Sequence, residues 1–244
     1  MKVFSHYIIK PLLKGAVFTS LLFLYTCAVK PESELDNPEY HHKAGMRHIE
    51  SGKFQESLTA FQRAVDLDKK FAPAYAGMGI ANANLENRNN AKKFASKAEE
   101  LGSKDSDVLT LCARVWIDLR HQEKKWFKPA EKLLKKALKR NKNHEGATHY
   151  KGELYLYQYM FNDAEDQFRA VVEMKGDYSG KADKMWQVSQ KIVRAMPGTP
   201  VGKKIVLHEK ITRADLAVLL AEELKISTLV ERQTTPAQGF QTPS

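Results

Sequence analysis

The sequence predicts an all-α protein in which helices come in stacked antiparallel pairs. Three observations predict it. A pattern of small, bulky and turn residues recurs four times, from Pro38, Ala72, Ser106 and Glu145, with the first three starts 34 residues apart. Inside the units, apolar residues follow helical spacing, as in Phe54, Leu58, Phe61 and Val65. Turn residues then fall midway through a unit, Gly52-Lys53 in the first and Asn87-Arg88-Asn89 in the second.

The chain begins with Lys2, Lys10 and Lys14, followed by the uncharged run Gly15–Thr26 and then Cys27. A basic start before a short apolar run is the pattern of a secretory signal, too short to span a bilayer comfortably. Residues 1–26 resemble a bacterial lipoprotein signal peptide, which implies acylation of Cys27 and a membrane held through its lipid. Ala28 after that cysteine is compatible, in Gram-negative bacteria, with transfer to the outer membrane. The same run also fits an uncleaved anchor or ordinary secretion. Residues 27–37, polar with Pro31 and flanked by Pro38, read as a tether.

Four units follow, at about 38–71, 72–105, 106–144 and 145–178. The first pairs a helix near Pro38–Ser51 with one over Phe54–Asp66. The third is stretched near Arg120–Lys128, where Trp126 and Phe127 sit, and its second helix carries Ala130, Leu133, Leu134, Ala137 and Leu138. Residues 179–196 read as one more helix, with Met185, Trp186, Val188, Ile192 and Val193, that caps the open end. Pro197-Gly-Thr-Pro-Val-Gly202 marks a linker over 197–204.

The small and bulky residues that carry the repeat are Ala44-Gly45, Phe61 and Ala64 in the first unit. They are Met78-Gly79, Ala91, Ala95 and Ala98 in the second, and Gly152, Phe161, Ala164, Phe168 and Val171 in the fourth. The arrangement resembles the tetratricopeptide repeat. That resemblance implies a right-handed superhelix whose first helices line a concave groove, and a scaffold for an unidentified protein or peptide segment. It places His42, Met46, Ile49, Ile80, Asn84, Arg114, His149, Glu153 and Tyr157 in the groove. Members that grip a C-terminal carboxylate use Lys, Asn and Arg at set groove positions. His42, Met46, Ala76 and Ile80 do not match them.

Formal net charge is +10, and +7 once the three lysines of residues 1–26 are set aside. Such an excess favours anionic surfaces, including a cell-wall polymer. There is no glycine-rich phosphate loop and no DNA-reading module, so nucleic acid is not expected. Lysines 128, 132, 135, 136 and 139 lie mostly opposite the Leu133/Leu134 stripe, as a solvated face or an anionic docking face would. His41, His42 and His48 lack the spacing of a metal site. Tyr150, Tyr155, Tyr157 and Tyr159 read as core and groove filling, and Cys112 as a small buried hydrophobe. No nucleophile motif or cofactor loop appears, so the expectation is a protein that is not an enzyme and has no cofactor.

The stretch Ile211-Thr-Arg-Ala-Asp-Leu-Ala-Val-Leu-Leu-Ala-Glu-Glu-Leu224 resembles the closing motif of the S-layer homology domain. In that family complete domains bind pyruvylated cell-wall polysaccharide, and Arg213 and Asp215 are the matching motif positions. The upstream Trp-Ala and glycine-rich parts are missing, so residues 205–228 are a partial segment. Residues 229–244 read as a polar, disordered tail.

Overall fold

A computed structural model describes residues 30–226, apart from 32, 35, 196, 209 and 224. The signal segment, Cys27 and the tail 229–244 lie outside the described residues. The chain runs α1 (Pro38–Glu50), α2 (Phe54–Leu67), α3 (Ala72–Asn84), α4 (Arg88–Leu101), α5 (Ser106–Asp118), α6 (Phe127–Arg140), α7 (Glu145–Leu156), α8 (Phe161–Met174), α9 (Ser179–Ala195), α10 (Pro200–Ile205) and α11 (Arg213–Glu222). Among the described residues there is no strand, and the all-α expectation holds.

Local chemistry sets the helix starts. The Asn37 side chain accepts from the Tyr40 N–H, and Asp105 accepts from Asp107 and Val108, supplying oxygens to donors that a first turn leaves free. Pro38 and Pro73 occupy first-turn positions, where a missing N–H costs nothing. Gly52 turns the first hairpin at φ +70°, a region that side-chain-bearing residues avoid.

Packing explains the repeated small residues. Phe61 of α2 is fully buried between two glycines, Gly45 of α1 and Gly77 of α3. A methyl group on Gly77 would sit 2.4 Å from the Phe61 ring, and one on Gly45 would sit equally close. One aromatic ring therefore joins three helices because two of them yield their side chains to it. Phe168 of α8 repeats the device against Gly152 of α7. The first helices (α1, α3, α5, α7) form an inner layer in mutual contact, and the second helices lie outside them.

The stretched third unit has a definite use. Leu119–His121 forms a short 3₁₀ turn, and the residues after it lie back on the second unit. Gln122 Nε2 donates to the Ala83 carbonyl at 2.8 Å, and Lys92 reaches Glu123 at 3.0 Å. Trp126 is 7% exposed and meets Phe127 edge-on at 6.0 Å, so the insertion carries its own piece of core.

Beyond α9 the expected linker is itself structured. Thr199 caps α10, Pro200 opens it, and Ile205 is buried. Val206 and Leu207 pack on the cluster formed by Phe168, Val171 and Ile192. A proline that stops one helix here starts the next, because its ring suits a first turn.

Candidate functional site: the inner wall

The groove positions named from sequence divide into two sets. Ile80 is fully buried and Ile49 nearly so, and Ala76 and Ala83 beside Ile80 are buried too. Ile49 and Ile80 are thus core residues, because α1, α3 and α5 lie too close for these side chains to reach an open channel. Met46 is half-buried against the core. His42 lies between the Phe61 and Phe71 rings, 5.8 and 5.9 Å away, and burial lowers its pKa to about 4. It is a neutral packing residue near pH 7.

The remaining positions come together on α3, α5 and α7. Asn84 at the end of α3 donates from Nδ2 to Asp118 Oδ2 at 3.2 Å and to the Ile80 carbonyl at 2.9 Å. Asp118 at the end of α5 also faces Arg114 Nε at 3.7 Å, one turn earlier. Burial pushes the Asp118 carboxyl up to about 6, while Arg114 pulls it down and Glu153 of α7 pushes it further up. Burial alone would lower the Arg114 pKa, but Tyr150, Asp118 and Glu153 hold it above its usual value. The guanidinium carbon of Arg114 is 5.6 Å from the Tyr150 ring centre, within cation–π range.

On α7, His149 Nε2 lies 3.2 Å from Glu153 Oε1, and its imidazole is wedged among Tyr150, Phe168 and Tyr178. His149 is 4% exposed, so Glu153 alone of this pair faces outward. Tyr157 at the end of α7 is covered by Arg120, whose guanidinium carbon is 4.1 Å from the ring centre. Burial raises the Tyr157 hydroxyl pKa. At the mouth, Lys181 from the start of α9 pairs with Glu50 at the end of α1. The first and last helices of the array thus reach each other across the concave side.

Sequence reasoning missed Arg120, Tyr178 and Lys181 as parts of this wall. Arg120 lies just past α5 and Tyr178 between α8 and α9, outside the helix positions that the repeat pattern scores. Lys181 is on the wall only because the array curls, which no local spacing reveals.

The wall is built of ion pairs and aromatic stacks, with His149 Nδ1 buried and without a hydrogen-bond partner. Among the described residues no group of His, Cys, Asp and Glu could hold a metal ion. Cys112 is buried, its thiol pushed up to about 12 by burial, with Sγ donating to the Ala95 carbonyl at 3.5 Å. A thiol in that setting is not a nucleophile.

In the C-terminal hairpin, Arg213 is exposed at the first position of α11. Asp215 is committed to structure. It accepts from the Thr212 N–H at 2.9 Å and hydroxyl at 2.8 Å in a capping box, with His208 Nδ1 at 3.5 Å. Glu223 ties the other end, accepting from the Thr199 N–H at 2.9 Å and hydroxyl at 2.6 Å. α11 buries none of its own residues, and Ile211 and Leu216 are more than half exposed.

No family model and no curated protein matches the chain. Solved structures do. A thermophilic TPR protein of Thermus thermophilus aligns at 14% identity over 80% of this chain and 96% of that one, with a TM-score of 0.54. MamA of AMB-1 aligns at 16% identity over 82% and 98%, with a TM-score of 0.39. PilF of Pseudomonas aeruginosa aligns at 14% identity over 71% and 97%, with a TM-score of 0.30. The last two differ too much in shape to argue from. The first shares the architecture, and the chain has the superhelical fold of a tetratricopeptide-repeat array.

Proposed function

We propose that this protein is a non-enzymatic scaffold of the bacterial cell envelope that holds a segment of a partner protein against its inner wall. The observation that carries the reading is the convergence of Asn84, Arg114, Asp118, Arg120, Glu153 and Tyr157 from three successive units onto one concave surface. Repeat arrays use such a surface to read an extended or helical segment. Every charge on the wall has an internal partner, so affinity comes from exchanging partners and releasing water. A segment with interspersed acids and bases suits it better than a uniformly charged one. Acylation at Cys27 would anchor the array and raise the local concentration of the partner.

Photoreactive residues at Asn84 and Tyr157, introduced in cells, test the reading. One dominant crosslinked protein, lost when Arg114 and Glu153 are replaced together, supports it. Capture of wall glycan would favour a polysaccharide-binding role through Arg213 and the basic helix α6, and so would binding to purified wall that disappears on deleting 205–244. Labelling with a radioactive fatty acid, abolished by Cys27→Ala, checks the anchor separately.

A further inference from the structure

The outer face of α6 carries a run of lysines with a single acid among them. Lys128, Lys132, Lys135 and Lys139 recur at spacings of four, three and four, which lays them along one edge of the helix over about 16 Å. All four are exposed, and Lys124, Lys125 and Lys142 extend the edge at both ends. Glu131 is the only acid in α6, and it holds Lys135 at 2.7 Å. Lys136 turns aside to Glu99 of α4, and Arg140 to the Ser103 carbonyl. Among the described residues, Lys128, Lys132 and Lys139 have no acid within ion-pair distance. The next outer helix, α8, is acidic instead, with Asp163, Glu165, Asp166 and Glu173 against Arg169. The basic edge therefore does not continue onto α8, whereas α4 on its other side also carries Arg88, Lys92, Lys93 and Lys97, beside Glu99 and Glu100.

Two features narrow what it would meet. The unpaired charges are lysines, point charges on flexible stems without the bidentate geometry that selects an individual carboxylate. That suits a diffuse array of negative charge. Lys128 and Lys132 also rim a cleft of about 330 Å³ between α4 and α6, lined by Trp116, Pro129 and Leu133 and by Ser96 and Glu99, the last held by Lys136. A basic rim over a partly apolar lining, its one acid already paired with Lys136, suits an amphiphile better than a water-soluble polyanion.

We infer that the outer edge of α6 docks on the head groups of an anionic lipid bilayer. Each lysine near such a surface is attracted to it, and salt screens the attraction. The edge lies on the opposite side of the array from the inner wall, so lipid docking would leave the groove open and aimed away from the membrane. The inference stands independently of any groove partner.

The test uses the full-length chain in vesicles with a photoreactive residue at Asn143, just beyond the lysines. With phosphatidylglycerol in the vesicles, the expected result is crosslinking to that lipid. The yield should fall by at least about tenfold in K128E/K132E/K139E, and fall likewise for the parent in about 0.5 M salt. K53E/K175E/K184E, with the same charge change elsewhere, should label as the parent does. Equal labelling in pure phosphatidylcholine would overturn the inference, as would equal loss in the control triple. So would a dominant crosslink to a second copy of the chain, the acidic α8 of that copy being the competing occupant. Circular dichroism of both triples, expected to match the parent, confirms that the loss is not unfolding.

Discussion

The inner helix α3 and the outer helix α6 are near in length and opposite in design. α3 buries Ala72, Ala74 and every residue from Ala76 to Ala83, and no polar face survives on that stretch. α6 buries only Ala130, Leu133, Leu134 and Ala137, and turns its lysines outward. The difference follows from position. An inner helix is surrounded by its own hairpin partner and the inner helices on both sides, whereas an outer helix has one covered side. Stability should therefore be concentrated in the inner layer, with the outer surface free to vary in charge.

The largest expected effect is in that inner layer. Phe61→Ala removes the ring between Gly45 and Gly77 and should cost about 3–5 kcal/mol in denaturant unfolding, enough to threaten the first two units. A loss below about 1 kcal/mol would mean the two glycines are not organised around the ring. Gly77→Ala approaches the same contact from the other side and should cost about 1–3 kcal/mol by overpacking. Combining it with Phe61→Leu should recover part of that loss, and strict additivity would break the picture of one shared contact.

Next comes pH. Asp118, raised from 3.8 to about 6, binds more protons folded than unfolded between those values, so its contribution lowers stability as pH rises through that window. His42, lowered from 6.5 to about 4, binds fewer protons folded, so its contribution raises stability over nearly the same range. The two slopes oppose each other in the parent. Asp118→Asn should leave stability climbing with pH between about 4 and 6, and His42→Phe should leave it falling. Thermal unfolding of each variant at three pH values reads the sign, and unchanged slopes would refute the assignments.

The smallest effects belong outside. Lys132→Ala should change stability by less than about 0.5 kcal/mol, since no described contact of that side chain would be lost. Thr212→Ala should release the α11 cap, at about 1 kcal/mol, seen as faster hydrogen exchange in 213–222 with global unfolding unchanged. A shift of the global transition would show the C-terminal hairpin to be part of the array's cooperative unit.

Legibility follows the same division. Phe54, Leu58, Phe61 and Val65 announce α2 because only one side of it is covered. α3 announces itself by the repeat spacing alone, its apolar residues showing no side. Asn84, Arg114, Glu153 and Tyr157 could be named as wall residues from repeat position. Ile80 stands at the position equivalent to Arg114 and Glu153 yet lies in the core, as Ile49 does, since burial there depends on how closely neighbouring inner helices approach. Residues 197–204 read as a break in sequence, and Pro200 in fact opens a helix that closes over the cap cluster.

The amino-acid order by itself determined the paired helices, their boundaries to within a few residues and the lysine edge of α6, because periodicity and capping act within one or two turns. Only the tertiary structure decided which inner positions stay open, that Asp118 is shared by Asn84 and Arg114, and that Lys181 meets Glu50 across the mouth. Those depend on the angle at which each unit follows the last, a small rotation that accumulates along the array and that no single unit encodes.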